Sequence, residues 1–179
     1  MNKKLCILTG VGPESGTGAE IARYFSENGY HVAMIARTED NLKNLEKNFR
    51  VNTTALLILS QMALPKMLER ESGTIIVTGN TAAERGKDGW GFFAASKSAQ
   101  KILAESMARE FGPKGIHVAY IIIDALIDTP RTRPRLAPDK PDNFFASPKH
   151  IAEEVFKVVK QDRSAWSFRV ELRPYGEYW

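Results

Sequence analysis

Lys4-Leu5-Cys6-Ile7-Leu8-Thr9-Gly10-Val11-Gly12-Pro13-Glu14-Ser15-Gly16-Thr17-Gly18 decides how the rest of the chain is read. Residues 4–9 are a short apolar run of the length and character of a strand buried on both faces. Glycines follow at 10, 12, 16 and 18. Ala19, Ile21, Ala22 and Phe25 then recur at helical spacing, so a helix is predicted over 16–28, closed by Asn28-Gly29. A helix N-terminus offers free backbone N–H groups and the positive end of the helix dipole, and a phosphate can lie against both. Side chains would block that approach, which gives the glycines a reason. The strand–turn–helix setting therefore points to a dinucleotide cradle at Gly10, Gly12, Gly16 and Gly18.

Working outward, His31-Val32-Ala33-Met34-Ile35-Ala36 reads as a second buried strand, and a polar helix is expected from about Glu39 to Asn48. A doubly wound sheet would place a third strand next. Instead Val51-Asn52 leads straight into 53–70, a segment apolar nearly all round, which predicts a buried helix bent at Pro65. Alternation then resumes. A strand is expected over 74–78, a glycine-containing loop over 79–92 and a helix over 93–111, stopped by Gly112-Pro113. A strongly apolar strand follows over 117–123, and 124–147 reads as a long proline-rich loop carrying Arg131, Arg133 and Arg135. A helix over 148–160, with Ser147 as its N-cap, and a strand over 167–172 complete the chain.

The chain has 179 residues, a formal charge of +4 and a single cysteine. That is room for one ordinary domain with a core of its own. No apolar run is long enough to cross a membrane, and no basic block interleaved with aromatics suggests nucleic acid. Cys6 has no partner for an internal disulfide, which fits a reducing, cytoplasmic setting. His31, His117 and His150 are scattered and make no metal-ligand spacing, so no metal is expected.

The glycine turn resembles the Thr-Gly-x-x-x-Gly-x-Gly fingerprint of the short-chain dehydrogenase/reductase family, spread by two extra residues. The resemblance continues in Val51-Asn52, in Gly73-Thr74-Ile75-Ile76-Val77-Thr78-Gly79-Asn80 and in Phe93-Ala94-Ala95-Ser96-Lys97. It implies a Rossmann-like α/β fold with a doubly wound parallel sheet, and catalytic positions at Asn52, Asn80, Phe93 and Lys97. Asn80 stands where the family has serine, and Phe93 where it has the tyrosine whose hydroxyl moves the proton. Lys97 would lower that hydroxyl's pKa and hold the cofactor ribose. Thr129 matches a threonine that contacts the cofactor, whereas Asp124 replaces the proline ahead of it. Family members bind an unphosphorylated ribose with an acid at the end of the second strand. Arg37-Thr38 stands there instead, which favours NADP(H), with NAD possible.

Phenylalanine has no proton to give. Asp124, Asp128 and Tyr120 are conceivable replacement acids. The family's third and fourth strands have no counterpart, so a single truncated domain over 1–179 is expected, either as a contracted sheet with the first strand pairing to that at 74–78 or as an unstable product. The chain reads as an NADP(H)-dependent oxidoreductase of atypical type acting on a small carbonyl or alcohol. The alternative is a catalytically inactive nucleotide-binding module that pairs with a full-length relative. Association, whether with that relative or as a homo-oligomer, would use the helices at 53–70 and 93–111.

Overall fold

The computed structural model describes residues 5–11, 15–36 and 45–178. Five parallel strands form one sheet: β1 (Leu5–Val11), β2 (His31–Ala36), β3 (Gly73–Asn80), β4 (Ile116–Ile123) and β5 (Arg169–Leu172), in the order β2-β1-β3-β4-β5. The expected contraction is present, since β1 pairs directly with β3 through Leu8 and Ile76. The chain moves outward in one direction from β1 to β2 and in the other from β3 to β4. The switch in strand order therefore falls between β1 and β3, and in open α/β sheets ligands bind beyond the carboxyl ends of the strands at that point.

The helices lie on both faces. On one, α1 (Thr17–Glu27) and α6 (Pro148–Val159) bring Ile21, Phe25, Ile151 and Val155 onto Cys6, Leu8, Ile76, Ala119 and Ile121. On the other, α3 (Ala55–Glu69) and α4 (Gly91–Phe111) bring Leu56, Met67, Ala104 and Met107 onto Ile7, Ile75, Val77, Val118 and Ile122. Strand side chains alternate between the two clusters with period two, and all eight residues of β4 are buried, as a central parallel strand requires. Full burial of an Ile or Val side chain is worth about 1.5–3 kcal/mol, so β4 contributes heavily to the core.

Three sequence expectations are modified, and a fourth is described only in part. The strand at 31–36 is present, but His31 and Ala33 are exposed while Val32 packs with α1 and α6. It lies at the sheet edge, where the α3–α4 layer does not cover its second face. The helix over 53–70 runs unbroken through Pro65, yet Leu57, Ile58 and Met62 are 42–73% exposed, so only one side of it is buried. Of the polar helix, α2 (Leu45–Phe49) is described and residues 39–44 lie outside the described set. The loop over 124–147 carries a short helix, α5 (Thr132–Leu136), and a single 3₁₀ turn at Asp142–Phe144. As the missing strand predicted, α2 passes into α3 with no strand between, through a wide π-type turn at Arg50–Thr54.

Candidate active site

A cavity of about 190 Å³ opens at the switch point. Its wall is built from several elements that meet there. Thr17 and Gly18 come from the start of α1, Thr78, Gly79 and Asn80 from the end of β3, and Ile123, Ala125 and Ile127 from the end of β4 and beyond. Asn52, Phe93 and Lys97 reach it from the helical layer. The fold thus brings Gly18, Asn52, Asn80, Phe93 and Lys97 together from four separate stretches of sequence.

A buried hydrogen-bond network fixes three of them. Lys97 Nζ donates to Thr78 O at 3.0 Å and to Gln100 Oε1 at 2.9 Å, and the residue is only 6% exposed. Gln100 Nε2 in turn donates to Asn52 O at 2.8 Å. Asn52 Nδ2 donates to Ser96 Oγ at 2.8 Å, and Ser96 Oγ to Phe93 O at the same distance. The π turn explains how Asn52 takes part. Ala55 N–H reaches back five residues to Arg50 O, so the backbone is widened where Asn52 turns its carbonyl to Gln100.

Phe93 is 4% exposed and meets Trp90 edge to face, with ring centroids 5.5 Å apart. Asn80 ends β3, and its Oδ1 accepts from Ala82 N at 3.0 Å, capping the 3₁₀ turn at Thr81–Ala83. Its carbonyl end is committed there, so Nδ2–H is what Asn80 has to offer another group. Beside it Gly79 must be glycine: a Cβ there would overlap the ring of Tyr120.

The remaining expected residues are Gly10, Gly12, Gly16, Arg37, Thr38 and Thr129. Gly10 is the extra residue in a bulge of β1, between Thr9 paired to Ile35 and Val11 paired to Ala36. Gly16 is the N-cap of α1. Gly12, Arg37 and Thr38 lie outside the described residues. Thr129 does not line the cavity; its Oγ1 caps α5 by accepting from Thr132 N at 3.0 Å and pairs with Thr132 Oγ1 at 2.7 Å.

The three candidate replacement acids fare differently. Tyr120 is fully buried, and burial, with the charge of Glu84 second, holds its hydroxyl well above the ordinary phenol range. Asp128 is engaged by Arg133 through both carboxylate oxygens, at 3.0 and 2.9 Å, and these bonds hold its carboxyl below the ordinary range. Arg133 also binds Asp142 at 2.8 Å and covers the Phe145 ring, so its guanidinium is used to fold the loop. Asp124 is buried on the wall of a second cavity of about 500 Å³ that shares Asn80, Ile123 and Ala125 with the first. Arg173 lies 3.1 Å from it and Arg85 3.7 Å.

Glu177, on that same second wall, was not singled out by sequence reasoning. It sits in an unpatterned tail, and no local motif marks it. Among the described residues no cluster of His, Cys, Asp or Glu could hold a metal, and no helix is long and apolar enough to cross a membrane.

The short chain dehydrogenase profile matches residues 41–139, more than half of the chain. The chain belongs to that family. It is 28% identical over 129 residues to the ketoacyl reductase HetN of Nostoc, an alignment covering 67% of this chain and 42% of HetN. It spans less than half the length of the first curated relatives it matches. In structure it is similar to a serine dehydrogenase in closed form complexed with NADP⁺, with a TM-score of 0.76, 16% identity and 97% of this chain and 96% of that chain covered. It is also similar to a 4-hydroxyisoleucine dehydrogenase complexed with NADH, with a TM-score of 0.75, 18% identity and coverage of 96% and 98%. These two likenesses show the fold.

Proposed function

We propose that this chain is an NADP(H)-binding oxidoreductase of the short-chain dehydrogenase/reductase type, atypical in its proton chemistry, that acts on a small carbonyl or alcohol. The observation that carries the reading is the convergence of Gly18, Asn80 and Lys97 on one cavity at the switch in strand order. The residues present suit the nicotinamide half of a dinucleotide. Lys97 would hold the ribose, the open start of α1 at Thr17 and Gly18 would face phosphate, and Asn80 Nδ2 would donate to a substrate oxygen. When bound, the nicotinamide supplies or accepts the hydride. The preference for the 2′-phosphorylated form rests on Arg37 and Thr38; among the structural neighbours both NADP⁺ and NADH complexes occur.

Phe93 holds the tyrosine position without a hydroxyl. It fixes the aromatic wall with Trp90 and leaves the proton to another group. General acid–base catalysis is worth about 10²–10⁴-fold, so turnover slower than that of relatives with tyrosine is expected. The test is fluorescence titration with NADPH, followed by Phe93→Tyr against a panel of aldehydes and ketones. Saturable binding with a gain of at least tenfold in carbonyl reduction supports the reading. Absence of binding overturns it.

One observation favours a second reading, an inactive module associating with a full-length relative. Leu57, Ile58 and Met62 on α3, and Ile102 on α4, form apolar surface left open to solvent. The same surface would serve a homo-oligomer. Sedimentation of wild type and Met62→Glu, with and without a full-length family member, separates these cases. Loss of association in the variant supports a helical interface, and a monomer under all conditions excludes it.

A further inference from the structure

We propose that Glu177, on the wall of the second cavity, is the proton donor that replaces the missing tyrosine hydroxyl. The inference rests on the oxidoreductase reading above and adds to it the group that handles the proton.

The geometry comes first. The cavity of about 500 Å³ is lined by Asn80, Thr81, Arg85, Trp90, Asp124 and Glu177, among others, and it shares the Asn80, Ile123 and Ala125 wall with the cofactor-side cavity. A substrate lying there meets Asn80 on one side and Glu177 on another. Trp90, which packs against Phe93, is part of the same lining.

The tail that carries Glu177 is held in place. Arg173 is anchored by Asp124 at 3.1 Å. Gly176 N donates to Asn143 O at 3.2 Å, and Glu177 N donates to Pro174 O at 3.4 Å, closing a tight turn. Gly176 packs so close that a Cβ would stand 2.6 Å from Asn143 O, so the approach requires glycine.

One oxygen of the carboxyl lacks a partner. Glu177 Oε2 is buried and has no hydrogen bond among the described residues. A buried carboxylate oxygen in that state is costly, whereas a protonated one is far less so and can donate once an acceptor arrives. Burial raises the pKa of Glu177, and the charge of Asp124 raises it further. Arg173, Arg85 and Lys87 oppose the shift without cancelling it. These are the charged groups facing it.

In the reduction direction a bound reduced nicotinamide would supply the hydride to the carbonyl carbon and would itself be left oxidised. The C=O π bond breaks, its electron pair takes the proton from Glu177, and a new O–H bond forms. Glu177 is left as carboxylate and is reprotonated from solvent. The oxidation runs the same steps in reverse.

The experiment compares wild type with Glu177→Gln in three readouts. An infrared pH titration of the ligand-free proteins should show a carboxyl band in wild type that the variant lacks, with its midpoint above the ordinary glutamate value. Carbonyl reduction should fall about 100-fold in the variant, on the magnitude of general acid catalysis, with NADPH affinity unchanged. The wild-type rate should decline as pH rises through the carboxyl's titration, because reduction needs the protonated acid, and the variant should lack that limb. A Glu177 carboxyl that titrates at or below the ordinary value, a variant as fast as wild type, or a wild type that binds NADPH but reduces nothing overturns the proposal and leaves cofactor binding standing. Failure to bind NADPH overturns both.

Discussion

One oxygen atom separates Phe93 from the residue its position calls for, and its surroundings say what restoring it would do. The ring is packed edge-on to Trp90 and lies on the cavity wall, so Phe93→Tyr adds a hydroxyl without new bulk inside the core. Thermal stability should change little while carbonyl reduction rises. Lys97 is the opposite case. Its ammonium serves Thr78 O and Gln100 Oε1, so Lys97→Met strands two buried acceptors at a cost of about 1–3 kcal/mol each. Urea unfolding should show a lower midpoint, and nucleotide affinity should fall more than tenfold. Residues of this kind are partly legible from sequence. Lys97, Asn52, Asn80 and Phe93 stood out because a known pattern fixes their spacing, and they do converge on one cavity. Thr129 was picked by the same pattern but caps α5, since Thr132 offers it a local partner. Glu177 matched no pattern, because its surroundings are assembled from β3, β4 and the tail.

At the scale of elements, the π turn at Arg50–Thr54 makes α2 and α3 one continuous path and lends Asn52 to α4. Asn52→Ala removes the bond to Ser96, which itself holds Phe93 O, and is expected to destabilise by about 1–3 kcal/mol in chemical denaturation. The helices and strands were legible wherever the apolar period was clean, as in α1, α6 and β4. The reading of α3 as buried all round failed because apolar residues on every side of a helix say nothing of how many sides a contracted sheet can cover. The turn type at Asn52 was hidden altogether, because it depends on a partner 48 residues away.

β4 and β5 raise a further prediction. His117 in β4 stacks on Trp166 at 4.8 Å, its Nε2 meets Ser167 O at 2.9 Å, and its buried Nδ1 has no partner among the described residues. Burial lowers its pKa, and the Ser167 carbonyl only partly offsets that. The folded protein therefore binds fewer protons than the unfolded chain below about pH 6.5, the ordinary histidine value. Stability is full above that value and should decline as pH falls from there toward the lowered folded pKa. Melting temperature followed from pH 7.5 to 5 should show this decline, and His117→Gln should remove it.

For the molecule as a whole, the contracted sheet sets the order of stability. β3 and β4 run in register over eight residue pairs, from Gly73 with Ile116 to Asn80 with Ile123, whereas among the described residues β1 meets β3 in register only at Leu8 and Ile76. Native-state hydrogen exchange should find β3 and β4 the slowest and the β1–β2 pair faster. The same seam is where the switch in strand order, the start of α1 and the cavity coincide. The central claim is that this seam grips a nicotinamide dinucleotide. Fluorescence titration of the whole chain with NADPH tests it most directly, beside Gly18→Val, which places a side chain on the cavity wall. Saturable binding that weakens at least tenfold in the variant is the predicted result, and no saturable binding by the unaltered chain would contradict it.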